Sequence, residues 1–138
     1  MTTSSDEYVA GADTVDDLRD RARRFLPTGV FDHVVGGAGE ERTTAANRAG
    51  FGRYRLLPRV LTDVSSIDTH LTILGSTLAA PIFTAPTGGV SLVHPDGECG
   101  VARAAAAAGV GFILSGSSAA TIEEVAAVAG TARWYQIR

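Results

Sequence analysis

From Thr14 onward the apolar positions fall at helical spacing. Val15, Leu18, Ala22, Phe25 and Leu26 share one face, and Thr14 stands where an N-cap is needed. Asp16 and Asp17 occupy the first turn, where the helix dipole favours negative charge. Pro27 closes this helix. A second short helix after Thr28 carries Val30, Phe31, Val34 and Val35 up to the Gly36-Gly37 break, and a third runs from Glu40 to about Phe51. The residues ahead of Thr14 are small, polar and acidic, so 1–13 are expected to be mobile and 14–138 to form the folded part.

After Pro58 the period changes. His70-Leu71-Thr72-Ile73-Leu74 and Thr77-Leu78-Ala79 predict two strands joined by a turn at Gly75-Ser76. Ile82-Phe83-Thr84-Ala85 and Gly111-Phe112-Ile113-Leu114-Ser115 read as buried strands, and Arg133 to Arg138 as a third. Between them, Asp96 to Ala108 predicts a helix with Asp96 as N-cap candidate and Gly109 as its stop. Thr121 with Glu124 three residues on is a capping box for a helix bearing Ile122, Val125, Ala126 and Ala129. Strand, helix, strand, helix, strand implies parallel pairing with crossover helices. Such α/β sheets bind ligands at the C-terminal ends of their strands. Two of those ends here are Pro86-Thr87-Gly88-Gly89 and Ser115-Gly116-Ser117-Ser118.

Composition narrows the chemistry. With 45% hydrophobic and 20% charged residues, the chain can bury a core. All twelve basic residues are arginine, which excludes a Schiff-base or P-loop lysine within these residues. A net charge of -3 without a basic run argues against nucleic acid or anionic membrane as main partners. Cys99 is the lone thiol, no apolar run is long enough to span a bilayer, and Met1 to Asp6 lack signal-peptide character. The expected setting is soluble and cytoplasmic.

Individual residues leave two readings open. The Pro86-Thr87-Gly88-Gly89 turn is either a tight strand exit or a backbone brought close to a flat cofactor. Ser115 to Ser118 can be helix-entry chemistry alone, and neither GxSxG nor GxGxxG is present. His33, His70 and His94 have no metal-ligand spacing, so no metal site is expected. Gln136 places an amide in an apolar strand, where it must find partners.

Taken together the residues resemble a known family. Phe31 to Gly39, Glu41 to Asn47, Leu57-Pro58-Arg59-Val60-Leu61, Ala80-Pro81-Ile82 and Ala85-Pro86-Thr87 carry the likeness. His94-Pro95-Asp96-Gly97-Glu98, Ala102 to Ala105, Leu114-Ser115, Ile122 to Val125 and Trp134-Tyr135-Gln136 continue it. In order and spacing this set resembles the N-terminal portion of the FMN-dependent α-hydroxy-acid oxidases and dehydrogenases, the glycolate oxidase, lactate oxidase and mandelate dehydrogenase type. The resemblance implies an α/β fold: an N-terminal helical cap and the first three β/α units of a TIM (β/α)8 barrel, left incomplete. It implies FMN as cofactor, with Pro86, Thr87 and Gly88 along the flavin ring, Ser115 in contact with it and Gln136 bonded near its ring carbonyls. Neutral donors of this kind suit a flavin.

Three positions depart from the family pattern. His33 and Arg138 stand where the family commonly has substrate-contacting tyrosines, and they are the expected substrate-binding residues. Arg138 offers a guanidinium, which suits a carboxylate. Ser117 replaces a bulky pocket ring, so side chains larger than methyl should enter. Gly88 stands where alanine is usual. The family's catalytic histidine, its lysine and its later arginines match no position here, so no catalytic residue is assigned. A barrel of this type needs about 250 residues. The expectation is therefore one part of an FMN-dependent enzyme that oxidises a 2-hydroxy acid to a 2-oxo acid, inactive alone. A complementary polypeptide would carry the rest of the barrel. The competing expectation is a truncated, non-catalytic relative serving as an interaction subunit, or a gene fragment.

Overall fold

The computed structural model describes residues 10–130 and 133–137, so the expected mobile stretch falls largely outside it. The chain divides into two compact units, residues 1–60 and 61–138.

The N-terminal unit is helical. Helix α1 spans Val15–Phe25, α2 Thr28–Val35 and α3 Arg42–Gly50, with a 3₁₀ turn at Phe51–Arg53. The α1 cap forms as the sequence implies. The Thr14 hydroxyl accepts from Asp17 N–H at 3.1 Å, and the Asp17 carboxylate accepts from Thr14 N–H at 2.8 Å. The Thr14 hydroxyl also donates to the Asp17 carboxylate at 2.7 Å, and that bond, followed by the one from Thr14 N–H, holds the Asp17 carboxyl below its ordinary range. The apolar stripe of α1 is less buried than its pattern predicts. Val15 is 81% and Phe25 63% exposed, and no residue of α1 is buried. Phe31 of α2 is the buried side chain among the described residues of this unit, with the Arg23 guanidinium 5.0 Å from its ring centroid. Arg48 of α3 pairs with Asp16 at 2.6 Å, an exposed bridge of small energetic weight. The third helix begins later than Glu40, because Glu41 takes a left-handed backbone (φ 55°) just before it.

The C-terminal unit opens with an antiparallel hairpin, β1 (Leu71–Ile73) and β2 (Ser76–Leu78). Its turn is Leu74-Gly75 rather than Gly75-Ser76. Both turn residues have positive φ (47° and 79°), the twist a two-residue hairpin loop requires. Leucine at the first of them carries no turn signal, and that displaced the expected register by one residue.

A three-stranded parallel sheet follows, in the order β3 (Phe83–Thr84), β4 (Gly111–Leu114), β5 (Arg133–Tyr135). Helix α4 (Gly97–Ala107) links β3 to β4, and α5 (Ile122–Val128) links β4 to β5. The predicted chain order of strands and helices is therefore present, and the sheet is open rather than a closed barrel. The Thr121–Glu124 capping box forms. Asp96 occupies the N-cap of α4 but makes no cap bond there, because its carboxylate is taken by Arg103.

The two faces of the sheet differ. Phe112 and Leu114 point outward and pack on Ala102 and Ala105 of α4 and Val125 of α5, all 5% exposed or less. Those small alanines let α4 lie close to the strand. On the inner face the ring of Phe83 stacks on Trp134, centroids 4.5 Å apart. Their strands flank β4, so they stand about two strand spacings, or roughly 10 Å, apart. The rings meet because Gly111 lies between them without a side chain. A methyl there would collide with the ring carbons of Phe83.

Two expectations follow. Gly111→Ala should lose about 1–3 kcal/mol through overpacking, read as a lower urea midpoint together with altered fluorescence of Trp134, the single tryptophan. An unchanged midpoint would show that Phe83 turns aside freely. The second concerns acid. Bonds from the Thr121 backbone and hydroxyl hold the Glu124 carboxyl below its usual value. A depressed folded-state value adds stability that is present above the ordinary glutamate range and is lost as pH falls through the depressed one. The helical circular-dichroism signal should therefore fall with acidification through that window, and the α5 share of the fall should vanish in Glu124→Ala. An identical acid profile in that variant would remove the cap as a cause.

Candidate functional site

The C-terminal ends of β3, β4 and β5 bring together Gly88, Ser115 and Gln136, with Pro86 and Thr87 in the turn ahead of Gly88. After β3 the chain turns through Ala85, Pro86, Thr87 and Gly88, where the Thr87 hydroxyl donates to Ala85 C=O at 3.2 Å. Gly89 (φ 73°) then leads into a 3₁₀ turn at Val90–Leu92. Ser115 follows β4 directly. It shares the inner face with Gly111 and Ile113 by strand alternation, and is only 2% exposed. Its Oγ accepts from Ser117 N–H at 3.1 Å and donates to Gln136 Oε1 at 3.4 Å. Ser118 N–H closes the turn onto Ser115 C=O at 3.0 Å.

Gln136 is set by the sheet itself. Its N–H donates to Leu114 C=O at 2.9 Å, extending the β4–β5 ladder one residue past the strand. The amide that looked unpartnered in sequence thus finds Ser115 through its oxygen. Among the described residues nothing accepts from its nitrogen, so a donor is left at the rim of the inner face.

Gly88 joins this group by close approach. A methyl at Gly88 would lie 2.9 Å from Ser117 Cβ, 3.0 Å from Ser117 C=O and 3.5 Å from Ser115 Oγ. The turn after β3 therefore rests on the turn after β4, and the alanine usual in the family would collide here. Pro86 is half-buried; Thr87 and Ser117 are exposed. His33 belongs to the N-terminal unit, exposed on α2, and Arg138 lies outside the described residues.

The rim side chains are neutral amides and hydroxyls, and a carboxyl side chain sits behind them. Glu98, in the first turn of α4, is 3% exposed, and its Oε1 accepts from Ala119 N–H at 3.4 Å. Sequence reasoning passed over it, since an acid in the first turn of a helix normally faces water. Its carboxylate reaches the loop after β4, a long-range contact that no local pattern announces.

A parallel β/α sheet with polar turns converging at its C-terminal edge is the arrangement at which α/β proteins of the barrel or doubly wound kind place their ligands. Comparison with known proteins makes this specific. A family model described as FMN-dependent dehydrogenase matches residues 22–138, so the chain belongs to that family, whose cofactor is FMN. A peroxisomal (S)-2-hydroxy-acid oxidase of Oryza sativa subsp. japonica is 45% identical over 123 residues, covering 89% of this chain and 34% of that protein. The L-lactate oxidase of Alicycliphilus denitrificans is 39% identical over 133 residues, covering 96% and 36%.

Among solved structures, mandelate oxidase with 3,3-difluoro-2-hydroxy-3-phenylpropionic acid superposes with a TM-score of 0.83 at 40% identity, covering 88% of this chain and 37% of that one. A mandelate oxidase variant holding a C4a-hydroxy-FMN adduct gives 0.80 at 40% identity, covering 87% and 36%. The chain spans about a third of the length of the curated relatives it matches. Among the described residues no helix is long and apolar enough to cross a membrane.

The contact between the two turns generates a prediction. Gly88→Ala should lose about 1–3 kcal/mol by overpacking, and Ser117→Gly in the same chain should recover part of it. Equal urea midpoints for the wild-type chain and Gly88→Ala would show that the turns are not in contact.

Proposed function

We propose that Pro86, Thr87, Gly88, Ser115 and Gln136 form part of an FMN site in an enzyme that oxidises a 2-hydroxy acid to a 2-oxo acid. The observation that carries this reading is the convergence of Gly88, Ser115 and Gln136 at the C-terminal edge of the sheet, in a chain of the FMN-dependent dehydrogenase family. The residues fit a flavin chemically. Ser115 engages the oxygen of Gln136, so the amide nitrogen faces the rim as a donor for a ring acceptor. The Gly88 turn offers backbone without a side chain in front of it. Bound FMN would supply the acceptor for the two electrons removed from the substrate. This chain's own residues hold, orient and hydrogen-bond the ring, and the base that takes the substrate proton comes from elsewhere in the assembly.

In this reading the remaining strands and that base come from outside these 138 residues. Support comes from the open sheet. Trp134 and Ile113 of its inner face are only half-buried, and among the described residues β3 and β5 each have one unpaired edge. The serine at position 117 leaves room for a substrate side chain larger than methyl.

The test uses the full chain alone and co-expressed with a polypeptide carrying the missing barrel strands. Visible absorbance, Trp134 fluorescence and dye reduction by a series of 2-hydroxy acids are recorded. The chain alone is expected to hold no stoichiometric FMN and to oxidise nothing. The assembly is expected to be yellow, to quench Trp134 and to accept aryl or branched 2-hydroxy acids as well as lactate. Gln136→Ala should weaken FMN binding about three- to tenfold, the loss of one hydrogen bond. A yellow, active single chain would overturn the need for a complement, and an assembly that binds no flavin would overturn the cofactor reading.

A further inference from the structure

Glu98 is the one buried carboxylate among the described residues, and the flavin reading gives it no task. Burying a carboxylate is costly unless its charge is met. Among the described residues no cation pairs with it: the nearby arginine of α4, Arg103, is engaged by Asp96 at the surface. What meets it are peptide dipoles. It sits in the first turn of α4, at the positive end of the helix, and it takes the N–H of Ala119 from the loop after β4.

Apart from the packing of Gly88 on Ser117 and the bond from Ser115 to Gln136, the other hydrogen bonds of that loop are local. Ser117 N–H bonds the Ser115 hydroxyl, Ser118 N–H bonds Ser115 C=O, and Ala120 N–H bonds the Ser118 hydroxyl at 3.0 Å. Each of these bonds spans two or three residues, so together they shape the turn without fixing where it stands. The bond from Ala119 to Glu98 reaches 21 residues back along the chain and ties the turn to α4. Ser115 lies four residues ahead of that tie, and its hydroxyl is the group that engages Gln136.

We infer that Glu98 is a positioning residue for the cofactor site: its buried carboxylate anchors the turn after β4 so that the Ser115 hydroxyl orients the Gln136 amide. This rests on the FMN reading above. Glu98 touches neither cofactor nor substrate and acts through Ser115. The relevant property is an acceptor at the Oε1 position, which glutamine can reproduce and alanine cannot. Glu98→Gln is therefore the conservative variant, and Ser115→Ala reports whether the effect travels through the serine.

The experiment measures the FMN dissociation constant of the full chain with its complement present, from flavin and Trp134 fluorescence. Four variants are compared with wild type: Glu98→Ala, Glu98→Gln, Ser115→Ala and the double variant Glu98→Ala/Ser115→Ala. Glu98→Ala is expected to weaken FMN about tenfold, the scale of one hydrogen bond to a charged group, and Glu98→Gln to stay within about threefold of wild type. In the Ser115→Ala background, Glu98→Ala should add less than about twofold, because coupled residues do not act additively. The bound-flavin absorbance of Glu98→Ala should match that of Ser115→Ala rather than wild type.

Independent, multiplying losses from Glu98→Ala and Ser115→Ala would overturn the inference. So would Glu98→Ala lowering thermal stability with FMN affinity intact. If Glu98→Ala does not fold, Glu98→Gln decides alone: a loss above about tenfold would show that charge, not the tether, matters. A wild-type assembly that binds no FMN defeats the cofactor reading itself, an outcome distinct from wild-type binding with unaffected Glu98 variants.

Discussion

The central strand of the parallel sheet, β4, sets the terms for both of its faces, and Gly111 is where the constraint is tightest. Because Gly111 has no side chain, Phe83 can lean across the strand and stack on Trp134. One residue on, Phe112 turns to the opposite face and enters the core with Ala102, Ala105 and Val125. Alternation along four residues thus separates a packed outer face from an aromatic inner one. The same alternation delivers Ser115 to the inner face just beyond the end of the strand. The position of the candidate site is therefore a consequence of strand register.

From that register the rim follows with few additional bonds. Gln136 is placed by a ladder bond to Leu114, and its side chain then meets Ser115. Gly88 comes within contact of Ser117 because both turns leave neighbouring parallel strands at the same edge. Neutral groups face the rim, while Glu98, the one buried carboxyl side chain among the described residues, lies behind it against the N–H of Ala119. A site built this way offers hydrogen bonds in a defined direction without a field that favours one sign of ligand charge, which suits a ring with several neutral acceptors.

The departures from family pattern read differently once the turns are seen in contact. Gly88 and Ser117 are adjacent in space, so a smaller residue at one position accompanies a smaller residue at the other. Substituting either alone changes the fit between two turns that together form the rim. By contrast, His33 sits in the helical unit and Arg138 outside the described residues, so their expected contact with a substrate carboxylate rests on the family likeness.

Local chemistry made much of the molecule legible from sequence. The N-cap at Thr14, the capping box at Thr121, the helix stop at Pro27 and the strand–helix alternation after Ile82 all depend on residues within a few positions of each other. Short-range hydrogen bonds and period are what a sequence displays directly. The ordered set of family residues carried the site assignments Pro86, Thr87, Gly88, Ser115 and Gln136. Other features belonged to tertiary structure alone: the Leu74-Gly75 turn, the diversion of Asp96 from its cap to Arg103, the exposure of the α1 stripe and the burial of Glu98. Each of these turns on which surfaces meet across long stretches of chain. That outcome is decided by the energy of the whole packed arrangement, which no run of neighbouring residues contains.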